Sequence, residues 1–223
     1  MIKVIEEYIE KLRPYVSEYF KDDYTGHDIG HLERTLNNAL YLCEKEGGDK
    51  LIVGVSAFLH DIHRIMQTKE GKFVSPKDSL PKVREFLSNI DLTEEQIEKI
   101  CFCIEHHENY NWNKNNVSDI NALIVQDADN LDAIGAIGIG RAFNYGGVNN
   151  IRMYDKNIQL NENNDFIESE GDTESTIHHF HHKLFKLGSQ MNTRTARKIA
   201  TRRTKFMKLF VKEFFNEWNA NYK

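Results

Sequence analysis

The chain has 223 residues, a formal net charge of −5 and an apolar share of 40%. This composition suits a water-soluble protein with a hydrophobic core. The acidic balance argues against a nucleic-acid-binding protein, which needs clustered lysine and arginine. We find no apolar stretch long enough for a signal peptide or a membrane span, so we expect no membrane partner. The three cysteines lack metal-type spacing, which favours a reduced, cytoplasmic setting.

Apolar residues recur at helical spacing from the start of the chain. The first predicted helix is interrupted at Pro14. The second can be capped by Thr25 or Asp28 and ends at the Gly47-Gly48 pair. A third helix is predicted from about Asp49 to Arg64. Because it is apolar around its whole circumference, we expect it at the centre of the fold.

The middle of the chain alternates polar stretches with helices. The polar segment from Met66 to Lys77 predicts a loop, after which a short helix begins at Ser79. Thr93 and Gln96 form a capping box for a helix that extends to about His107.

The second half of the chain is also predicted to be helical. The asparagine-rich stretch from Asn109 to Ser118 predicts a turn region, and a helix follows from Ile120 to Phe143. Glycines inside that helix indicate close approach of a neighbour. The long polar stretch from Asn144 to Ser175 predicts a flap or a surface excursion. Two helices complete the chain, the second ending at Trp218, and no alternating pattern predicts a sheet.

The main candidate metal-binding residues are the pair His60-Asp61, which directly follows an almost wholly apolar run from Leu51 to Leu59. An imidazole and a carboxylate at the end of a buried helix are costly unless a partner satisfies them. Neutral imidazole and carboxylate are both good ligands for zinc, manganese or iron. With His31 and a distal aspartate as further ligands, the sequence predicts one metal site assembled from separate helices.

The distal aspartate is either Asp127 or Asp129. Two residues apart on a helix, they point to nearly opposite faces, so only one of them can face the site. Both have apolar neighbours at helical spacing, and the periodicity does not decide between them.

These residues carry a resemblance to the HD-domain superfamily of metal-dependent phosphohydrolases. The matching phrases are GHDIGHLER, FLHDI, VQDADNLDAIGAIGIGRAF and a tail that includes HHFHHKLFKL. The middle and tail phrases resemble those of small bacterial stand-alone HD phosphohydrolases, including nucleoside triphosphate pyrophosphohydrolases. The resemblance runs from about Thr25 to Trp218, nearly the whole chain.

The resemblance implies an all-α fold in which residues 1–223 form a single helical bundle of the HD-domain type. The metal-site core is expected at about residues 25–143, with C-terminal helices at about 176–219 packed on it. The family's Ala-Asp-x-Leu phrase aligns with Asp129 rather than Asp127. The implied cofactor is a divalent ion (manganese, magnesium, iron, zinc or nickel), in one copy or two. The implied metal ligands are His31, His60, Asp61 and Asp129.

Other polar residues near these motifs are candidates for catalysis and substrate binding. The catalytic candidates, which can move a proton or support the site, are His106, His107 and Asp132. The candidates for contacting a phosphate substrate are Arg34, Arg64, Arg141, Lys183 and His27. His63 joins the His106-His107 pair as a candidate ligand of a second metal, and Glu105 and Glu108 are candidates for orienting water.

The function implied is hydrolysis of a small phosphate ester, most simply a nucleotide or deoxynucleotide, by metal-activated water. Cleavage of a triphosphate to monophosphate and pyrophosphate is its most specific form. Three alternatives stay open: a two-metal phosphodiesterase, a di-iron oxygenase on the same fold, and a non-catalytic nucleotide-binding sensor. The aromatic residues of the final helix can pack on the chain's own core, which we favour, or against a second copy in a homodimer.

Overall fold

The computed structural model of the chain describes residues 2–108, 116–160 and 175–222. Within these ranges every regular element is helical, and the one isolated bridge joins Arg152 and Ser175. The helices are α1 (Ile2–Phe20), α2 (Ile29–Glu46), α3 (Lys50–Leu59), α4 (Ile62–Glu70), α5 (Leu80–Leu87), α6 (Glu94–Glu105), α7 (Ile120–Asp132), α8 (Gly135–Val148), α9 (Thr176–His179), α10 (Phe185–Leu187) and α11 (Arg194–Trp218). A 3-10 turn (Lys77–Ser79) precedes α5, and a π-helical stretch (Phe180–Leu184) separates α9 from α10. The prediction of an all-α helical bundle is confirmed.

Helix α3 lies at the centre of the bundle, as its uniform apolarity predicts. Every residue from Ile52 to Leu59 is buried, and α1, α2, α6 and α7 all pack against it. Asp49 begins α3 by accepting hydrogen bonds from the backbone N–H groups of Leu51 and Ile52. Asp28 caps α2 in the same way, and α2 ends at Gly47, whose φ of +90° suits glycine.

The predicted interruption of the first helix at Pro14 is wrong. Helix α1 continues through Pro14 to Phe20. Proline removes one helical hydrogen bond. The buried side chains of Leu12, Val16 and Phe20 on either side of it pack into the core, and this tertiary packing outweighs the lost bond.

The predicted helix from Asp49 to Arg64 is two helices in the structure. The chain turns at His60 and Asp61, where Asp61 has non-helical dihedral angles of −93° and 16°. Helix α4 then continues to Glu70 and ends at Gly71, which adopts the left-handed conformation. The predicted loop from Met66 therefore begins only after Glu70. Uniform apolarity does not mark the turn, because both helices that meet there are buried at the junction.

A second long helix, predicted from Ile120 to Phe143, is also divided. Helix α7 ends at Asp132, and α8 begins at Gly135 with a φ of +83°. A Cβ atom at Gly135 would lie 2.9 Å from the Arg203 side chain, and one at Gly138 would lie 2.2 Å from the carbonyl oxygen of Ala133. These glycines permit close approach of neighbouring groups, as the sequence predicts.

Several smaller features complete the fold. The capping box of Thr93 and Gln96 is formed. Helix α8 extends to Val148, past the predicted start of the polar excursion at Asn144. Residues 161–174 of that excursion, and 109–115 of the predicted turn region, lie outside the described residues. No helix in the described ranges is both long and apolar enough to cross a membrane.

The C-terminal helix α11 packs across α8, α2 and α7. Phe210, Phe214 and Phe215 are partly buried against the core, which agrees with packing of the aromatic residues on the chain's own core. Phe206 and Trp218 remain 50% and 46% exposed, so part of the aromatic set faces outward.

Candidate metal centre

Three helical segments bring their polar side chains together at the C-terminal end of α3. His31 of α2 places its Nε2 atom 3.1 Å from His60 Nε2 and 3.1 Å from Asp61 Oδ2. Asp129 of α7 completes the group, with its Oδ1 atom 3.4 Å from His31 Nε2 and 3.6 Å from His60 Nε2. All four residues that the sequence suggests as metal ligands therefore converge on one point.

The turn between α3 and α4 explains how two adjacent residues reach that point. Neighbouring residues on a continuous helix point about 100° apart. Because the chain leaves the helical conformation at Asp61, His60 Nε2 and Asp61 Oδ2 come to lie only 3.5 Å apart. His60 is fully buried, and Asp61 is 2% exposed.

The two candidate aspartates on α7 face different neighbours. Asp127 accepts hydrogen bonds from the backbone N–H groups of Asn192 and Thr193, both at 2.7 Å, at the start of α11. Burial raises the pKa of the Asp127 carboxyl, although these hydrogen bonds act against the rise. Asp129 points the other way, toward His31. The geometry therefore places Asp129, and not Asp127, at the cluster.

Asp132 lies behind His31 rather than among the converging atoms. Its Oδ2 atom is 2.7 Å from His31 Nδ1, and it accepts hydrogen bonds from Arg34 and Arg141. Burial alone would raise the pKa of Asp132, but His31 and Arg34 lower it to about 2. A carboxylate on the far nitrogen of a metal-binding imidazole fixes its tautomer and orientation. The position of Asp132 therefore suits orienting His31 better than direct proton transfer to a substrate.

The lone pairs of this cluster fit a divalent cation. His60 Nδ1 lies 2.9 Å from the carbonyl oxygen of Ala57, to which it donates, so Nε2 presents its lone pair to the cluster. Asp61 Oδ2, though close to His31, makes no hydrogen bond with any described residue, and neither does His107 Nε2. Buried polar atoms without a partner are rare in proteins. Two imidazoles and two carboxylates form a donor set that manganese, iron and zinc accept.

A second cluster shares Asp61 with the first. His63, His107 and Glu108 join Asp61 with one ligand atom each, all within 4.8 Å of one another. His107 Nδ1 donates to the carbonyl oxygen of Ile104 at 2.7 Å, which turns Nε2 toward Asp61 Oδ1, 3.8 Å away. Glu108 also pairs with Arg64, and this cation together with His63 holds the pKa of the Glu108 carboxyl far below its usual range despite burial. The sequence indicated Glu108 only as a group that orients water.

His106 is not part of either cluster. Its ring packs on the ring of Phe102, with centroids 4.4 Å apart, and Phe102 is 40% exposed. Its backbone carbonyl accepts a hydrogen bond from Gln126. The structure thus separates two adjacent histidines that the sequence could not distinguish, and the predicted catalytic role of His106 finds no support in this arrangement.

A cavity of about 560 Å³ opens beside the first cluster. Four of the five predicted substrate-binding residues, His27, Arg64, Arg141 and Lys183, line it. Arg34 does not line the cavity, and its guanidinium is paired with Asp132. Apart from the set above, the residues that line the cavity were not predicted from the sequence as substrate-binding residues. They include Asp23, Thr25, Gln67, Thr68, Lys72, Phe73, Tyr145, Asn149 and His179.

Near the first cluster, the cavity wall combines a neutral histidine with two positively charged arginines. Burial, together with the nearby guanidinium groups of Arg141 and Arg64, lowers the pKa of His27 well below its usual value, although Asp61 acts in the opposite direction. His27 is therefore neutral at physiological pH, while the two arginines carry positive charge next to the cluster. Its Nδ1 atom lies 2.9 Å from the Thr25 hydroxyl. This wall suits an anionic ligand.

The protonation of His31 predicts a pH dependence of metal binding. Burial and the nearby Arg141 lower the pKa of His31, but the surrounding carboxylates of Asp129, Asp132 and Asp61 raise it overall from 6.5 to about 10 in the metal-free protein. The proton therefore stabilises the metal-free fold fully below pH 6.5, and this stabilisation is lost as the pH rises through about 10. A cation needs the neutral imidazole, so its binding must release this proton.

We therefore expect Mn²⁺ affinity to increase steadily from about pH 7 to about pH 9, with about one proton released per cation. Calorimetric titration in buffers of different ionisation enthalpy measures the released proton. An affinity that does not change with pH, without proton release, would contradict the raised pKa of His31.

Comparison with known proteins shows the family of the chain. The HD-domain family model matches residues 28–134, which include the whole first cluster. The chain is 32% identical over 206 residues to the uncharacterised protein YpgQ of Bacillus subtilis, covering 92% of this chain and 90% of that one. A crystal structure of YpgQ in complex with ADP has a TM-score of 0.67 and 28% identity, over 93% of this chain and 96% of that one.

Two further crystal structures are similar along nearly the whole chain. A Lactobacillus plantarum protein has a TM-score of 0.80 and 31% identity, over 97% of this chain and 99% of that one. An HD-superfamily hydrolase from Bacillus thuringiensis has a TM-score of 0.71 and 32% identity, over 97% of this chain and 100% of that one. The family model matches the segment that holds the first cluster, and the similarity to the relatives also covers the remaining helices. The chain therefore belongs to the HD-domain superfamily.

Proposed function

We propose that the protein is a metal-dependent phosphohydrolase that acts on a nucleotide. One observation carries this proposal: a buried set of two imidazoles and two carboxylates lies beside a cavity that Arg64, Arg141 and Lys183 line. A nucleotide offers phosphate groups that fit such walls, and HD-superfamily hydrolases are among the structural neighbours. The complex of YpgQ with ADP supports a nucleotide as the ligand of this cavity.

The four converging residues would hold a divalent cation. When bound, such an ion supplies Lewis-acid chemistry, which acidifies a water molecule and draws charge from a phosphate oxygen. His31, His60 and Asp61 are almost wholly buried, whereas the Asp129 side chain is 16% exposed. Asp129 is thus the carboxylate that can both face the cation and accept a proton from an attacking water molecule.

The cavity residues would bind and orient the phosphate chain. Arg64 and Arg141 lie next to the cluster, with Arg64 Nε 3.8 Å from Asp61 Oδ1 and an Arg141 nitrogen 3.2 Å from Asp132 Oδ2. Guanidinium groups donate paired hydrogen bonds to phosphate oxygens and stabilise charge that develops during the reaction. Lys183 also lines the cavity and adds a compact positive charge. Neutral His27 lines the same cavity without adding charge.

The decisive experiment measures product formation across a nucleotide panel. Purified protein, stripped with a chelator and resupplied with Mn²⁺, is incubated with nucleoside mono-, di- and triphosphates, and phosphate and pyrophosphate are quantified separately. We expect metal-dependent hydrolysis, with pyrophosphate as the product if triphosphates are cleaved at the α-phosphate. Absence of hydrolysis in the metal-loaded protein would overturn the proposal. Nucleotide binding without turnover would then favour a sensor, and oxygen consumption would favour an iron oxygenase.

A second candidate function is a two-metal phosphodiesterase, and the cluster of Asp61, His63, His107 and Glu108 favours it. A two-metal centre would bind about two equivalents of metal per chain. Replacing Glu108 with glutamine should then remove one equivalent and leave the other. A stoichiometry of one, unaffected by this substitution, favours the single-metal hydrolase.

A further inference from the structure

The segment between α1 and α2 that spans residues 23–27 forms part of the cavity wall. On α8, Arg141 Nε donates a hydrogen bond to the carbonyl oxygen of Gly26 at 2.8 Å, and Asn144 Nδ2 donates one to that of Tyr24 at 2.6 Å. Gly26 has a φ of +96°, which suits glycine, and a Cβ atom there would lie 3.4 Å from the Arg141 side chain. The two hydrogen bonds therefore hold this segment against α8.

Asp23 accepts hydrogen bonds from within the same segment. Its Oδ1 atom accepts from the backbone N–H groups of Thr25 at 3.0 Å and of His27 at 3.1 Å. The Thr25 hydroxyl oxygen lies 3.1 Å from Oδ1 and 3.0 Å from Oδ2 of the same carboxylate. A carboxylate has no hydrogen to donate, so the hydroxyl hydrogen of Thr25 points to Asp23. The hydroxyl oxygen then has only lone pairs left for its other neighbour.

That other neighbour is His27 Nδ1, which lies 2.9 Å from the Thr25 hydroxyl oxygen. Two lone pairs would repel each other at this distance, so Nδ1 carries a hydrogen and donates it to Thr25. His27 is neutral, because burial together with the nearby arginines lowers its pKa, and its Nε2 therefore has a lone pair. Nε2 makes no hydrogen bond with any described residue and is not among the buried polar atoms that lack a partner, so it is open to the cavity.

His27 lies beside the first cluster. Its ring packs edge-on against the ring of His31, with centroids 5.8 Å apart, and the Asp61 carboxylate is close enough to affect the pKa of His27. Arg64 and Arg141, the charged cavity residues nearest the cluster, can only donate hydrogen bonds. Nε2 of His27 thus adds a hydrogen-bond acceptor to a part of the cavity where the guanidinium groups are donors.

We propose that Asp23 and Thr25 are positioning residues that keep the hydrogen of His27 on Nδ1, so that Nε2 accepts a hydrogen bond from the water molecule that attacks the substrate. This inference rests on the proposed function. An ionised phosphate oxygen has no hydrogen to offer Nε2, whereas water has two. One hydrogen of the water faces His27, and the other goes as a proton to Asp129 while the water oxygen bonds to phosphorus. The phosphorus–oxygen bond to the leaving group breaks, and the leaving group keeps its electron pair.

The first test determines which ring nitrogen of His27 carries the hydrogen. Long-range ¹H–¹⁵N spectra of the Zn²⁺-loaded protein, labelled at histidine, make this distinction, and His27→Asn identifies the signal. We expect the hydrogen on Nδ1 in the wild type and in Thr25→Ser, which keeps the hydroxyl. Thr25→Val removes the acceptor, so a large share of the hydrogen should move to Nε2. Asp23→Asn should cause the same shift, because its amide donates to the Thr25 oxygen and turns the hydroxyl toward Nδ1.

The second test measures turnover of the Mn²⁺-loaded protein with the nucleotide that the wild type cleaves fastest in the panel above. Thr25→Val should lower kcat at least about 10-fold and leave KM nearly unchanged, because the wrong histidine tautomer slows the chemical step. Thr25→Ser should restore kcat. Calorimetry should show unchanged binding of adenosine α,β-methylene diphosphate to Thr25→Val. As a matched control, Thr201→Val removes an exposed hydroxyl on α11 that donates to the carbonyl oxygen of Arg197, and it should change neither kcat nor binding.

Failure of this inference is distinguishable from failure of the proposed function. If nucleotides are hydrolysed but wild-type His27 carries its hydrogen on Nε2, or if Thr25→Val shifts the hydrogen and keeps kcat, the hydrolase stands and the inference is overturned. An equal loss in Thr25→Val and Thr25→Ser would also overturn it, because the hydroxyl would not be the cause. If the hydrogen is on Nδ1 and no nucleotide is hydrolysed, the arrangement of His27 stands, and its use in hydrolysis fails with the proposed function.

Discussion

Replacing Asp129 with asparagine should lower the affinity of the protein for Mn²⁺ by more than about 100-fold and abolish metal-dependent hydrolysis. Loss of a group that only orients a metal ligand typically costs 10- to 100-fold in affinity, so loss of a direct ligand should cost more. Asp129 Oδ1 lies within 3.6 Å of both histidine Nε2 atoms of the first cluster. An amide oxygen in its place lacks the charge that balances the cation.

Calorimetric titration with Mn²⁺ measures this loss, and a nucleotide hydrolysis assay measures the activity. The matched control is Asp127→Asn, which changes the same residue type two positions away on α7. In that variant the folded protein should bind Mn²⁺ with nearly unchanged affinity. A result in which Asp127→Asn loses the metal and Asp129→Asn keeps it would reverse the assignment of the distal ligand.

Replacing Asp127 with alanine should destabilise the fold by about 2–4 kcal/mol. Its carboxylate is fully buried and accepts the backbone hydrogen bonds of Asn192 and Thr193 at the start of α11. Removing both acceptor oxygens leaves two donors without partners, each costing about 1–3 kcal/mol when buried. The raised pKa of this carboxyl shows that burying its charge also has a cost, which offsets part of the loss.

Urea unfolding of the metal-free protein measures this difference in the free energy of unfolding. Asp127→Asn retains one acceptor oxygen and should fall between the wild type and Asp127→Ala. If Asp127→Ala unfolds at the same urea concentration as the wild type, the contact with the start of α11 contributes no net stability.

Much of the fold and of the candidate centre follows from the sequence by simple rules. The uniform apolarity before His60-Asp61 places α3 at the centre, and burial makes an unsatisfied imidazole-carboxylate pair costly. The resemblance to the HD-domain superfamily then identifies His31 as a further candidate ligand. The caps at Asp28 and Thr93 follow from local hydrogen bonding, which depends on only a few neighbouring residues.

Other features depend on contacts between distant segments. The turn at Asp61 directly follows an apolar run, and nothing in the local periodicity marks it. The choice between Asp127 and Asp129 depends on Asn192 and Thr193, more than sixty residues farther along the chain. His106 and His107 are adjacent, and their separation depends on how α6 ends and how Gln126 of α7 approaches. Sequence spacing holds no record of these tertiary contacts.

Helix α7 connects the C-terminal part of the chain to the candidate metal centre. One side of a single turn of α7 presents Asp129 to the histidines, and the other side anchors the first residues of α11 through Asp127. We therefore expect a change in the angle or position of α11 to reach Asp129 through α7. Truncations and fusions that disturb the segment before Arg194 should then change the affinity of the candidate centre for a metal ion.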